Sequence, residues 1–446
     1  MNLAYFLRNN FEKIIPISLG KYLSVIPFSL RPGLGKSYRK SKKGISNFDS
    51  FDNKLKKDFI FQKMVLIVKH AYDNIPFYKK FYDKNNFTPH RDLNIFEDIS
   101  NIPIIRKNDI INVPLKERSV YSNNVMKANT GGSSGKPLSF YLPSHKMGIE
   151  WSHLHYIWKR QCQYSPKDLK VLMVGRGNVE NHVCYDFIRN VLRFDIFSNY
   201  DDISKIYLSK FSKYKIKYLR GYPSSIYELA LHCEKNIVFR NEISKDLKGV
   251  FLISEFPNNQ MRLFIEKIFN VKTFSFYGHS EGCIIAYEKD VKERFHPLHS
   301  YGFCETETID NTRFLIGTNY YNYNSPLIRY NTEDIVDNVY LDNNLVSSFR
   351  IVQGRIGEFI LDKKNKKVPL TGLIYGRHHE LFNYCNNIQI RQDMFGKAEV
   401  LYVLKDRIVL SPQNYFNTEG VEIDFEFKEI KQPIKSRLGK VNLLVK

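Results

Sequence analysis

From Lys54 to Ala71 apolar residues recur at helical intervals (Leu55, Phe59, Phe61, Val65, Leu66, Val68), and the run stops before Asn74-Ile75-Pro76. That spacing predicts a helix. A second helix is expected over His145–Arg160. Further on, short apolar runs alternate with amphipathic stretches. Strands are expected over Leu169–Val174, Lys217–Leu219, Val250–Ile253 and Lys272–Phe276, and helices over Ser204–Tyr214, Ser224–Glu234 and Gln260–Ile268. Such alternation with short connections predicts an α/β domain with a mainly parallel sheet. Residues 313–352, rich in Tyr, Asn and β-branched side chains, read as strands and turns.

Gln353-Gly354-Arg355-Ile356-Gly357 joins two strand-like runs and is a natural boundary. The expected division is a basic leader over 1–50, a large N-terminal domain over 51–353, and a small, mobile α+β C-terminal domain over 354–446. Lys363-Lys364-Asn365-Lys366-Lys367 reads as a hairpin tip.

A chain of 446 residues with 43% hydrophobic residues can bury a large core. The cysteines (Cys162, Cys184, Cys233, Cys283, Cys304, Cys385) include no C-x-x-C pair, which argues against a disulfide framework and fits a reducing cytoplasm. Ile14–Leu30 is apolar but interrupted by Pro16, Lys21 and Pro27, so no clean membrane span of about 18 residues occurs. The net charge of +21 suits nucleic acid, anionic lipid or an anionic substrate. No nucleic-acid-binding signature accompanies it. The densest basic run, Arg31–Lys43, is either a solvated leader or a contact with the inner face of the membrane.

The most specific chemistry is Thr130-Gly131-Gly132-Ser133-Ser134-Gly135-Lys136-Pro137. Its glycines let consecutive N–H groups approach a phosphate chain, and its hydroxyls and lysine add donors. It is not a Walker A loop, because Thr130 replaces the first Gly and Pro137 the final Ser or Thr. Gly33-Leu34-Gly35-Lys36-Ser37 fails similarly, with Leu30 in the first position. Four segments follow in order: Tyr277-Gly278-His279-Ser280-Glu281 at the end of the last expected parallel strand, Arg329-Tyr330-Asn331-Thr332-Glu333-Asp334, Gly354-Arg355, and Gly439-Lys440. Ligands of α/β sheets bind at such strand ends.

This ordered set resembles the adenylate-forming (AMP-forming) ligase superfamily, in its phenylacetate–CoA ligase and capsular polysaccharide biosynthesis branch. His70–Tyr78, Ile102–Ile110, Leu219–Ser224 and Ile388–Gln392 add to the likeness, which runs from about residue 55 to the C-terminus. The resemblance implies that Thr130–Pro137 holds the β- and γ-phosphates of ATP, Tyr277 lies against adenine and Ser280 meets the α-phosphate. Glu281 would coordinate Mg²⁺, Asp334 would bind the ribose hydroxyls, Arg355 would assist from the junction, and Lys440 would enter the site during adenylation. This chain has Ser280 where many members carry Thr, Gly357 where an acidic residue is common, and Leu138 where a basic residue often follows the proline.

The function so implied is cytoplasmic, ATP-dependent activation of a carboxylic acid as its acyl-adenylate, then transfer to a thiol such as that of coenzyme A, or to an amine or hydroxyl. The branch implies a role in surface polysaccharide biosynthesis. Two alternatives stand beside it: an adenylyltransferase acting on a deazaflavin-type cofactor, and a non-catalytic membrane-adjacent scaffold. Cys283, His296, His299 and Cys304 could bind zinc, although their spacing fits core or loop positions better. Trp151, His155 and Trp158 share a helical face that either lines an acyl pocket or faces the core.

Overall fold

The computed structural model describes residues 15–30, 35–129, 138–174, 179, 182–187, 189–196, 198–257, 259–353, 359–365, 367–374, 379–405, 408–418, 421–435 and 441–445. Six helices matter here: α1 (Ile17–Leu23), α2 (Gly35–Ser50), α3 (Asn53–Asn74), α4 (Lys146–Cys162), α5 (Pro223–Lys235) and α6 (Asn259–Phe269). Asp52 caps α3 by accepting from Leu55 N at 2.8 Å, and the chain leaves that helix before Pro76.

The hairpin β1 (Val125–Asn129) and β2 (Ser139–Pro143) precedes α4 and closes with Asn129 opposite Ser139, so the glycine loop joins its two strands. The strands β3 (Leu169–Met173), β4 (Val183–Asp186), β5 (Val191–Phe194), β6 (Ile216–Gly221), β7 (Gly249–Leu252) and β8 (Thr273–Gly278) follow. Then come β9 (Ile285–Glu288), β10 (Arg294–Pro297), β11 (Gly302–Ile309), β12 (Thr312–Asn319), β13 (Tyr330–Asp342) and β14 (Leu345–Gln353). From β3 to β14 they form one twelve-stranded sheet in the order β11-β12-β13-β14-β10-β9-β8-β7-β6-β3-β5-β4. Pairing is parallel from β8 through β7, β6 and β3 to β5, and antiparallel from β8 to β9 onward. Strand β8 is therefore the seam between the two halves.

A buried ion pair fixes that seam. Arg262 of α6, fully buried, donates to both oxygens of Glu288 on β9 at 2.6 and 2.8 Å and to Thr273 Oγ1 on β8 at 2.9 Å. Glu288 also accepts from Ser275 N at 3.1 Å. With its donors and acceptors matched in this way, the pair can persist in a dry interior.

Beyond the large sheet lie the hairpin β15 (Phe359–Leu361) and β16 (Lys367–Pro369), then β17 (Cys385–Met394), β18 (Lys397–Leu404), β19 (Asp424–Glu429) and β20 (Leu444–Val445), paired in the order β19-β18-β17-β20. They enclose their own core, which includes Leu370, Ile374, Leu381, Ile390 and Val400. The fold is thus mixed α/β with a small C-terminal sheet unit, as expected. The expected boundary after residue 353 runs into 354–358, which lie outside the described residues. The lysine-rich run is the β15–β16 hairpin tip, with Asn365 at φ 61° and Lys366 outside the described residues.

The first 50 residues depart from expectation. A leader preceding the folded body was expected, yet residues 15–30 and 35–50 pack onto that body. Tyr38, Ser41 and Ile45 form the buried face of α2, and Ser152 Oγ of α4 donates to Ser41 Oγ at 2.6 Å. Tyr38 Oη lies 2.8 Å from His155 Nδ1, and Phe28 meets the His155 ring edge-on at 4.5 Å. Trp151, His155 and Trp158 accordingly face the core, with Trp158 stacked on Phe251 at 4.4 Å.

Candidate functional site

Tyr277 stands near the C-terminal end of β8. Its hydroxyl donates to Asp334 Oδ2 at 2.5 Å, and its ring meets Phe349 edge-on at 5.8 Å. Asp334 reaches this position through a bulge in β13. Thr332, Glu333 and Asp334 together stand opposite Leu315, between the pairs Ile316–Asn331 and Phe314–Ile335, with Glu333 at φ 64°. Such a bulge re-aims side chains at a strand end. Asn331 Oδ1 accepts from Glu333 N at 2.8 Å and Thr332 Oγ1 donates to Leu315 O at 2.8 Å, so the bulge is internally held.

After β8 the chain turns tightly, with Gly282 N donating to His279 O at 3.0 Å. The turn leaves Ser280 exposed and buries Glu281, whose carboxylate lies 3.2 Å from His279 Nδ1. Gly282 is required there twice over. Its φ is +68°, and a Cβ would come within 2.5 Å of Lys146 Nζ. Lys146, at the start of α4, donates to Ser280 O at 2.9 Å, bringing an ammonium against the turn. Asn319 Nδ2 donates to Glu281 O at 3.1 Å. Lys146 and Asn319 were not read from the sequence, although a lysine just after the glycine loop and a glycine just after Glu281 are signals that could have found the first.

The segment 319–325 links this turn to the glycine-loop hairpin. Asn319 Oδ1 accepts from Asn322 N at 3.1 Å, Asn322 Nδ2 donates to Tyr141 O on β2 at 2.9 Å, and Tyr141 N donates to Ser325 Oγ at 2.9 Å. The segments His70–Tyr78 and Ile102–Ile110 and their surroundings brace the neighbouring backbone. His70 Nε2 lies 2.9 Å from Tyr323 O, Tyr78 Oη donates to Pro326 O at 2.6 Å, and Arg329 Nη1 donates to Ser100 O and Ile102 O at 2.6 Å each.

Tyr277, Ser280, Glu281 and Asp334 are therefore gathered at one end of β8. Thr130–Pro137, Arg355 and Lys440 lie outside the described residues, and only their neighbours locate them along the chain. Gln353, two residues before Arg355, pairs with Ile335 beside Asp334. Val441, next to Lys440, donates its N–H to Glu255 Oε1 at 3.2 Å. A cavity of about 310 Å³ between α5, α6 and the C-terminal unit, lined by residues including Tyr227, Phe264, Phe382 and Cys385, contains none of the four.

Cys283 and Cys304 belong to the hydrophobic core, where burial pushes both thiols up, while His299 Nε2 lies 2.8 Å from Val346 O. Among the described residues no group of three or more His, Cys, Asp or Glu is placed to hold a metal ion. As a single ligand Glu281 still suits Mg²⁺, which takes one or two carboxylates and otherwise phosphate and water oxygens.

No family model matches the chain. Its sequence is 27% identical over 284 residues to Protein CapK of Staphylococcus aureus, covering 62% of this chain and 61% of that protein, so the match spans about three fifths of the relative. Its fold is similar to 2-hydroxyisobutyryl-CoA ligase in the postadenylation state with R3-HIB-AMP, at a TM-score of 0.65 and 14% identity, covering 89% of this chain and 90% of the other. The same ligase with 2-HIB-AMP and CoA in its thioesterification state superposes with a TM-score of 0.54 at 15% identity, over 89% and 90% of the two chains. The chain has the fold of the adenylate-forming ligase superfamily, and its likeness to CapK fits the capsular branch.

Proposed function

We propose that this protein activates a carboxylic acid with ATP. A carboxylate oxygen attacks the α-phosphorus, the bond to the bridging oxygen breaks, and pyrophosphate leaves with the electron pair, giving an acyl-adenylate. A thiol, amine or hydroxyl then attacks the acyl carbon and AMP departs. The observation that carries this reading is the Tyr277–Asp334 hydrogen bond beside the His279–Gly282 turn, at the seam of a sheet shared with acyl-AMP-bound ligases.

Asp334 supplies two acceptor oxygens for ribose hydroxyls, with Tyr277 orienting one of them and offering its ring to the base. Ser280 faces solvent, where a phosphate oxygen can reach its hydroxyl. Glu281 would hold Mg²⁺, which supplies charge neutralisation to the phosphates when bound. Thr130–Lys136 would cradle the outer phosphates. Arg355 and Lys440 would add positive charge as charge builds on the phosphoryl oxygens. The CapK likeness favours an acceptor connected with surface polysaccharide, with coenzyme A as the acceptor drawn from the ligase fold.

The test is acid-dependent ATP–pyrophosphate exchange, screened over aryl, hydroxy, amino and short-chain acids. At least one class should support exchange. Lys440→Ala should lower it about 10²- to 10³-fold with ATP affinity little changed. Exchange with no acid, or undiminished exchange in Lys440→Ala, would count against the reading.

A further inference from the structure

We propose that the surface formed by α1, the turn after it and α2 docks on an anionic lipid bilayer. Helix α1 is turned in an unusual way. Its inward positions are Ile17 and Gly20, with Ser24 buried at its C-cap, and a Cβ on Gly20 would come within 2.2 Å of the Tyr185 ring. Its outward positions are larger and apolar: Leu19 is 54% exposed, Tyr22 67% and, in the following turn, Val25 58%. Ile26 and Leu30 extend the patch, while Phe28 anchors it in the core beneath. An ordinary surface helix shows the opposite arrangement, and a clustered apolar patch of this kind marks a contact surface.

Helix α2 adds the charge. Lys36, Arg39, Lys40 and Lys43 are all exposed on one helical face, opposite the buried stripe of Tyr38, Ser41 and Ile45. Lys42 is exposed as well. Between Glu12 and Asp49 the sequence contains no Asp or Glu. Exposed apolar side chains followed closely along the chain by a basic helix face supply the two chemistries of a membrane surface, acyl boundary and anionic headgroups. A protein partner of ordinary composition would be expected to meet some carboxylates here. Among the described residues no helix is long and apolar enough to cross a membrane, so the contact is peripheral. Helix α2 is packed against α4, so its basic face is carried on the folded body.

The test is cosedimentation of the full chain with phosphatidylcholine vesicles containing about one third phosphatidylglycerol, and with pure phosphatidylcholine. Binding is expected to the anionic vesicles only, weakening as salt rises. Lys36→Glu with Lys40→Glu should lower it at least about tenfold, and Leu19→Ser with Val25→Ser should lower it severalfold. Lys210→Glu with Lys213→Glu, an equal charge change at exposed residues away from this surface, should leave binding within about twofold. Unchanged thermal melting shows that each variant is folded. No binding to anionic vesicles overturns the proposal. So does equal loss in both charge-reversal pairs, which would make the attraction generic, or a self-association abolished by the Leu19 and Val25 changes, which would make a second copy the occupant.

Discussion

At the scale of single residues, the Tyr277–Asp334 pair separates ring contact from hydrogen bonding. Tyr277→Phe keeps the ring against Phe349 but removes the donor to Asp334, which is only 5% exposed. Asp334→Asn keeps one acceptor oxygen and loses the charge. Both should raise the KM for ATP, Asp334→Asn the more, by about tenfold on the scale of one lost charge-assisted hydrogen bond. Glu281→Gln should instead raise the Mg²⁺ concentration needed for half-maximal exchange. If isothermal titration shows wild-type ATP affinity in both Tyr277→Phe and Asp334→Asn, the nucleotide binds elsewhere. These residues could be singled out in the sequence because motif chemistry is local. The bulge that aims Asp334, and the partners Lys146 and Asn319, were not, because they depend on contacts between distant segments.

Two buried histidines make stability depend on pH. Burial holds His153 and His299 neutral and lowers each to a pKa of about 4. Both protonate more readily in the unfolded chain, near 6.5, so their contribution is complete above that value and lost as pH falls toward 4. The loss should be about 2 kcal/mol per histidine at pH 5. Urea midpoints between pH 7 and 5 measure it. His299→Gln, which can retain a donor to Val346 O, should flatten the dependence, and a slope as steep as that of wild type would show that His299 does not titrate this way.

At the scale of elements, strands and helices with strong periodicity were readable, and the exceptions have physical causes. The helix expected over Ser204–Tyr214 instead begins at Tyr200, where Asn199 accepts from Asp201 N at 2.9 Å, and passes into a π turn over Tyr207–Phe211. Strands β4 and β5 escaped the apolar pattern because the pair is tied together through charge, with Arg193 donating to buried Asp186 at 2.7 Å. Helix α2 was hidden because its buried stripe contains only Tyr38 and Ile45 as large apolar groups, set among lysines. Deleting residues 1–45 would therefore uncover His155 and Trp151, not merely trim a tail. The seam offers a sharper test. Arg262→Met leaves Glu288 buried without its guanidinium and should cost about 3–5 kcal/mol. A drop in urea-unfolding stability below about 1 kcal/mol would mean that the β8–β9 junction does not rely on the pair.

At the scale of the whole molecule, the link between the large sheet and the C-terminal unit matters most, because Lys440, proposed above to act in adenylation, lies in the chain between Lys435 and Val441. Lys435 Nζ donates to Ile196 O at 2.7 Å and to Glu228 Oε2 at 3.1 Å, both on the large body. Burial raises the Glu228 pKa and Lys435 opposes that rise, so the lysine helps keep this carboxylate charged. Lys435 and Val441 bridge each other, and Glu255 holds Val441 N while its other oxygen accepts from Ser224 N at the start of α5 at 3.1 Å. Both ends of the stretch carrying Lys440 are thus fastened to the body. Lys435→Met should loosen them and slow acid-dependent exchange about tenfold while leaving the KM for ATP near its wild-type value, since Tyr277 and Asp334 are untouched. Lys435→Arg should recover much of the rate. Hydrogen exchange at the Val441 amide supplies a readout independent of turnover, and it should quicken in Lys435→Met. Wild-type protection together with a wild-type exchange rate would show that these contacts do not place Lys440, and the way the C-terminal unit is held during adenylation would have to be sought in other contacts.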